Sequence, residues 1–321
     1  MRIAGVFNGD SGQLSDLDME IFMARATELA EERGITLDCR SVAGDDLIDE
    51  LTRAATDPAI DVLLAGGGDG TISAAAGICF THGKPLAVLP AGTMNFFART
   101  LRVPLDLEAA LVAIFEGRLY DVDIATANDR PFIHQFSVGL HARLVELREQ
   151  QKTYKNRLQK MFASLRAIFA AVSRRLKFEV EIVSSRGRAR RLASGVSVSN
   201  NLLGEGHMPH ADHVDAGVLG VYVAKPMTPM TAVRFCFGVL VGHWKDHPGL
   251  SEAEVTEVTL VFPHRKRSAR AVIDGELVPL TQRVEVKIHP GGLRVLAPQA
   301  LAEVLVRKQD VPDETGPALA G

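Results

Sequence analysis

The sequence predicts an α/β domain with a parallel sheet and helices on both faces, followed by a mainly β, sandwich-like domain. Three observations carry this expectation. From Ile3 to Leu89, short apolar runs alternate with helical patterns, the β-α-β-α order of a parallel sheet. After Leu119 the pattern changes to short alternating segments separated by turn signals. Within the first regime, Asp61-Val62-Leu63-Leu64-Ala65-Gly66-Gly67-Gly68-Asp69-Gly70-Thr71 reads as a buried strand, a glycine turn and a helix start.

In chain order, Ile3–Phe7 is the first strand and ends at the turn cluster Asn8-Gly9-Asp10-Ser11-Gly12. A helix runs to about Arg33, with Leu17, Ile21, Ala24 and Leu29 apolar and Gly34 as its C-cap. A strand over Thr36–Val42 and a helix from Asp45 to about Thr56 follow. After the organising strand, a helix spans Thr71 to about His82 with Thr71 as cap, then a strand spans Pro85–Leu89. Leu105–Gly117 is a further helix. We place the domain boundary at 118/119. Tyr120–Ala125 and Pro131–Val138 form a hairpin about Asn128-Asp129-Arg130. Strands are expected near Phe178–Val183, Arg190–Ser199, Val218–Ala224, Glu257–Pro263, Arg270–Ile273, Val284–Ile288 and Leu293–Leu296, with a helix over Thr228–Val241. Residues 298–307 read as a short helix that folds back on the first domain, and 308–321 as a disordered tail.

Composition sets outer limits. A chain of 321 residues holds about two domains. Its net charge of −3 gives no global drive toward nucleic acid. Cys39, Cys79 and Cys236 follow no pairing motif and suit a reducing compartment. No signal segment or membrane-spanning run is visible, so the expected location is cytoplasmic, with the inner membrane surface open to it. The sequence does not set an oligomeric state.

The glycine turn is the main chemical signal. Consecutive glycines permit positive φ and close approach of backbone to a ligand. A helix N-terminus behind them offers N–H groups and the positive dipole end to phosphate. No Lys follows Gly66, Gly67, Gly68 and Gly70, so this is not the common P-loop. A second turn, Pro90-Ala91-Gly92-Thr93-Met94-Asn95-Phe96-Phe97-Ala98-Arg99, brings Gly92, Thr93 and Asn95 to the same sheet edge. Ligands of such sheets bind beyond the carboxyl ends of the strands. The two turns therefore predict one nucleotide cleft, with the Asn8 turn beside it. His207, His210 and His213 are close in sequence, but Pro209 breaks any helix there and no Cys supports a zinc site.

Together, Gly67-Gly68-Asp69-Gly70-Thr71 and Pro90-Ala91-Gly92-Thr93-Met94-Asn95-Phe96-Phe97-Ala98-Arg99 resemble the catalytic domain of the diacylglycerol-kinase family, which includes bacterial soluble lipid kinases and sphingosine and ceramide kinases. The resemblance extends to about residue 297 through Ser137-Val138-Gly139, which resembles a Ser-x-Gly step, and Asp274-Gly275-Glu276. It implies an ATP- and Mg²⁺-dependent kinase acting on a lipid hydroxyl. Asn8, Thr71, Thr93 and Asn95 would contact nucleotide beside the glycines. Asp69 would approach Mg²⁺, Glu276 would take the proton, and Asp123 would orient that base or a metal-bound water. Asp215 would be the candidate for a second, structural magnesium. Three positions depart from the family pattern: Gly9 stands where Pro is favoured, Phe96 where many members have Asp, and Ala216 in place of an acid.

Two other readings are compatible with these residues: a kinase for a soluble acceptor, resembling NAD kinase, and a nucleotide- or lipid-binding regulator without turnover. A stripe of Leu158, Met161, Phe162, Leu165, Phe169, Val172 and Leu176 makes 155–177 a basic amphipathic helix, either packed on a core or docked on anionic lipid.

Overall fold

The computed structural model describes residues 1–150, 177–204, 210–242, 244–245 and 247–305. The expected 155–177 helix (Lys177 apart), His207 and the 308–321 tail lie outside the described residues.

The first lobe opens with β1 (Arg2–Asn8), α1 (Met19–Glu31), β2 (Thr36–Val42), α2 (Leu47–Thr56), β3 (Val62–Gly67), α3 (Asp69–His82) and β4 (Leu86–Pro90). Two short helices follow, α4 (Phe96–Thr100) and α5 (Leu107–Phe115). Strands β2, β1, β3 and β4 pair in parallel in that order. β3 and β4 are buried throughout, as parallel strands covered on both faces must be.

Several local expectations are corrected. The first helix starts later, because Asp18 caps it by accepting from the N–H groups of Glu20 and Ile21. Ile21 and Leu17 face solvent, and Ala26, Leu29 and Ala30 form the buried stripe. Thr71 does not cap α3: Gly68 is the N-cap, and Thr71 is buried in the first turn. The short helix expected near the C-terminal end is a 3-10 helix over 299–304, with Leu301 buried in the first core.

The second lobe holds β5 (Arg118–Ala127), β6 (Arg130–Phe132), β7 (Gln135–Gly139), α6 (Leu140–Gln150), β8 (Phe178–Ser184), β9 (Gly187–Ala193), β10 (Gly195–Asn200), β11 (Leu219–Ala224), α7 (Pro229–Val241), β12 (Leu250–Val255), β13 (Glu257–Val261), β14 (Arg270–Ile273), β15 (Glu276–Pro279) and β16 (Arg283–Ala297). Asn128 and Asp129 both have positive φ, which makes the β5–β6 hairpin turn. The single strand expected over Arg190–Ser199 is two strands in two sheets. They part at Ser194, whose N–H donates to Ala224 and whose carbonyl accepts from Leu140. Strands β12-β11-β10-β7-β14-β15 form an antiparallel sheet, packed through a shared core on β13, β8, β5 and β16.

No linker separates the lobes. β16 pairs with β13 at its start, lies along β5, and ends beside β4 in parallel register, Val295 opposite Leu86. One ten-stranded sheet therefore runs through both lobes. Val122, Ile124, Leu293 and Val295 belong to the first core, and Ala125, Ala127, Val284 and Val286 to the second. The sheet fixes how the lobes face each other.

Candidate active site

The sequence reading allows the glycine turn positive φ and a close approach of backbone to a ligand. The structure gives another reason for the glycines, since Gly66, Gly67, Gly68 and Gly70 have no positive φ. A Cβ on Gly66 would lie 2.5 Å from the Phe7 ring, so β1 and β3 approach only because that side chain is absent. At Gly92 a Cβ would meet the Gly68 Cα at 2.7 Å. The turns after β3 and β4 thus touch backbone to backbone.

Side chains then tie the two turns together. Asp69 accepts from the N–H groups of Asn95 at 3.0 Å and Phe96 at 2.7 Å. Asn95 is buried with φ +52°. Its Oδ1 accepts from the Gly92 N–H at 2.9 Å, and its Nδ2 donates to the Gly92 carbonyl at 2.8 Å. Asn8 Nδ2 donates to Thr71 Oγ1 at 3.1 Å. Asp69, Asn95 and Gly92 thus form one bonded group at the sheet edge, with Gly68 packed against Gly92, and Asn8 and Thr71 form a second bonded pair. Thr93 is exposed beside it.

From the second lobe, the β14–β15 hairpin reaches this cluster. Glu276 is exposed, and its Oε1 lies 3.8 Å from where a Gly70 Cβ would stand. Its Oε2 accepts from Arg130 Nη2 at 2.6 Å. Two residues earlier, Asp274 is buried with φ +47°. Its Oδ2 accepts from Ser73 Oγ at 2.7 Å and the Ile133 N–H at 2.9 Å, and its Oδ1 from the His134 and Gln135 N–H groups, each at 2.9 Å. Ser73 lies on α3, so Asp274 knots the hairpin to the helix behind the glycine turn. The sequence reading did not single out Arg130, Ser73 or this role of Asp274; the Asp-Gly dipeptide marked only the turn.

Asp123 is buried rather than exposed on its strand. It accepts from the N–H groups of Gly217 at 2.6 Å and Gly291 at 2.9 Å, and no hydrogen bond links it to Glu276. Burial raises its pKa against the pull of these two amides, and nearby Asp215 raises it further. With His134, Asn200 and Asn201 it lines a cavity of about 10 Å³, the space of roughly one water. Phe96 stacks on His134, centroids 4.6 Å apart, and burial lowers the His134 pKa. Behind it, Ser137 and His141 Nδ1 hydrogen-bond at 2.6 Å, and burial holds His141 down to about 4.

Each Asp69 oxygen has one amide partner, which leaves lone pairs for a hard cation that arrives on phosphate oxygens. The donor set therefore fits Mg²⁺ at Asp69. Among the described residues no group of three His, Cys, Asp or Glu side chains could hold a metal. Asp215 lies close enough to Asp123 to raise its pKa.

Residues 2–127 match the model of the diacylglycerol kinase catalytic domain, and residues 134–297 match that of the YegS C-terminal NAD kinase beta sandwich-like domain. The second match alone spans just over half of the chain. The chain belongs to the diacylglycerol-kinase family. An uncharacterised protein of Synechocystis is 29% identical over 249 residues, 74% of this chain and 54% of that protein. A diacylglycerol kinase of Staphylococcus aureus is 46% identical over 81 residues, 25% of this chain and 26% of that enzyme. The chain thus spans about half the length of the first relative and a quarter of the second. The crystal structure of a Bacillus anthracis diacylglycerol kinase superposes with a TM-score of 0.69 over 94% of this chain and 98% of its own, at 18% identity, a likeness of fold.

Proposed function

We propose that the chain is an ATP- and Mg²⁺-dependent lipid kinase that transfers the γ-phosphoryl group to a hydroxyl of diacylglycerol or a related lipid. The units are residues 1–118 for nucleotide and 119–297 for lipid, with the cleft between them. The observation that carries this reading is the carboxylate of Glu276 facing Gly70 of the glycine turn across the two lobes.

Phosphoryl transfer asks a protein for positioning and charge stabilisation. The first N–H groups of α3 have no partner within the helix and point toward the turn, where they would hold ATP phosphates. Gly66, Gly67, Gly68, Gly70 and Gly92 let that backbone come close, and Asn8, Thr71, Thr93 and Asn95 line its rim. Asp69 would hold the Mg²⁺, which when bound neutralises charge on the phosphate oxygens. Glu276 accepts the proton of the lipid hydroxyl at Oε1, while Arg130 occupies Oε2. The acceptor oxygen bonds to the γ-phosphorus, the bond to the β-phosphate bridge breaks, and ADP leaves. Asp123 acts as a positioning residue for the Gly217 and Gly291 turns.

The test is transfer of labelled γ-phosphate into a panel of diacylglycerol, sphingoid base, phosphatidylglycerol and NAD. Label in diacylglycerol or a related lipid is the expected result. The second domain matches a model described as NAD kinase beta sandwich-like, which keeps a soluble acceptor as the second reading, and label in NAD alone would establish it. No label in any acceptor, with ATP bound, would leave the regulator, for which Phe96 and Ala216 are the supporting residues. No described helix is long and apolar enough to cross a membrane. We place the protein in the cytoplasm, in peripheral contact with the inner membrane surface while it meets lipid.

A further inference from the structure

A closed ring of contacts runs around the place where the lobes meet. Asp69 Oδ1 accepts from the Phe96 N–H at 2.7 Å. The Phe96 ring stacks on His134, with centroids 4.6 Å apart and planes 7° from parallel. The His134 N–H donates to Asp274 Oδ1 at 2.9 Å. Asp274 Oδ2 accepts from Ser73 Oγ at 2.7 Å. Ser73 stands about one turn beyond Asp69 on α3, which closes the ring. Gly70 lies between Asp69 and Ser73, and Glu276 follows Asp274 closely, so the two residues that face each other both sit on it.

Only one of these side-chain and backbone links is made by packing, and it is the stack. The hydrogen bonds at its two ends come from backbone N–H groups and need no particular side chain at 96 or 134. The rings are therefore what the chain adds. Phe97 fills the first core, whereas Phe96 is half-buried and lays its ring on the second lobe. An offset or parallel aromatic pair is worth a factor of about two to twelve in an equilibrium.

We infer that the Phe96–His134 stack is a positioning contact across the cleft, which sets the turn after β4, and with it Asp69, against the hairpin that carries Glu276. Phe96 and His134 act through Asp69 and Asp274. The step they serve rests on the kinase reading; the link between the lobes does not. Ser73 ties the hairpin to the helix behind the glycine turn, and the stack ties it to the second turn. A single tie is a pivot, and two ties at separate points fix an orientation.

The experiment is native-state amide hydrogen exchange on the full chain, with each variant read in the opposite lobe. Phe96→Leu removes the stack but keeps the N–H that binds Asp69. It should speed exchange about two- to twelve-fold at Ile133, His134 and Gln135, the donors to Asp274. His134→Leu should do the same at Asn95 and Phe96, because coupling between two sites is reciprocal. Phe96→Tyr keeps the ring and should match the parent. Amides of the β8–β13 pair serve as reference and should not change. Equal speeding in the reference would be a general loss of stability and would overturn the inference. So would unchanged exchange across the cleft, or a Tyr variant as fast as the Leu variant. The Phe96→Leu arm decides by itself where His134→Leu does not fold.

Single-turnover transfer from labelled ATP to diacylglycerol supplies the functional readout. Both Leu variants should slow transfer about ten- to 10²-fold, the cost of a misplacement near 1 Å, with ATP affinity unchanged. The double variant should be no slower than either single one, since both remove the same contact. Parental rates in both Leu variants, or losses that add in the double variant, would overturn the positioning role. No transfer by the parent would break the kinase reading, and the exchange rates would still decide whether the stack links the lobes.

Discussion

The glycine turn of the first lobe and the Asp-Gly-Glu hairpin of the second meet across one gap, yet they keep their shapes by different means. The turn is held by contact. Phe7 lies against Gly66, Gly68 against Gly92, and the bonds that finish it join Asn95 to Gly92, Asp69 to Asn95 and Phe96, and Asn8 to Thr71, at most 63 residues apart. The hairpin is held by acceptors. Asp274 takes four hydrogen bonds from donors that lie 139 to 201 residues away, and Glu276 takes one from Arg130, 146 residues away. A phosphate cradle needs backbone packed close enough to present N–H groups, and shape secures that. The proposed base would need one carboxylate aimed from the opposite lobe, and the polar knot at Asp274 holds the hairpin that carries it.

If the comparison holds, an isosteric change should hurt the hairpin most. Asp274→Asn keeps volume but points an N–H at donors, so about 3 kcal/mol of stability should go, read as a lower urea midpoint at unchanged slope. A loss under about 1 kcal/mol would mean that the knot is not what holds the hairpin. In the turn, volume should matter instead. Gly66→Ala drives a methyl into the Phe7 ring and should cost about 2 kcal/mol, recovered in part by Phe7→Leu, which makes room. No recovery would remove shape as the cause. The smallest effect is expected at Gly275→Ala. Its φ is +89° but nothing lies within 4 Å of the new methyl, so only backbone strain remains, about 1 kcal/mol.

The same contrast explains what the sequence made legible. The turn, its strand and its helix follow one another within Asp61–Thr71, so period and glycine spacing reported them. The motif in Pro90–Arg99 is as local. The reason for the glycines was not local: it lies in Phe7 and in Gly92, which only the sheet brings near. Asp69 and Asn95 were legible as polar groups, but not the bonds that join them to Phe96 and Gly92. Arg130 looked like part of a hairpin turn and Ser73 like a helix residue, because their partners are fixed by the pairing of β7 with β14. The burial of Asp123 was not legible, since nothing beside it in sequence announces the Gly217 and Gly291 amides. One feature of the second lobe was misjudged for a simpler reason: a bend at Ser194 sends one apparent strand into two sheets.

The central claim is that the turn binds nucleotide while Glu276, from the other lobe, removes the proton. Glu276→Gln separates the two. In single-turnover transfer from labelled ATP to diacylglycerol, the variant should bind ATP as the parent does and transfer about 10²–10⁴-fold more slowly. Transfer at the parental rate would contradict the assignment of Glu276, and with it the account of why the two lobes face each other.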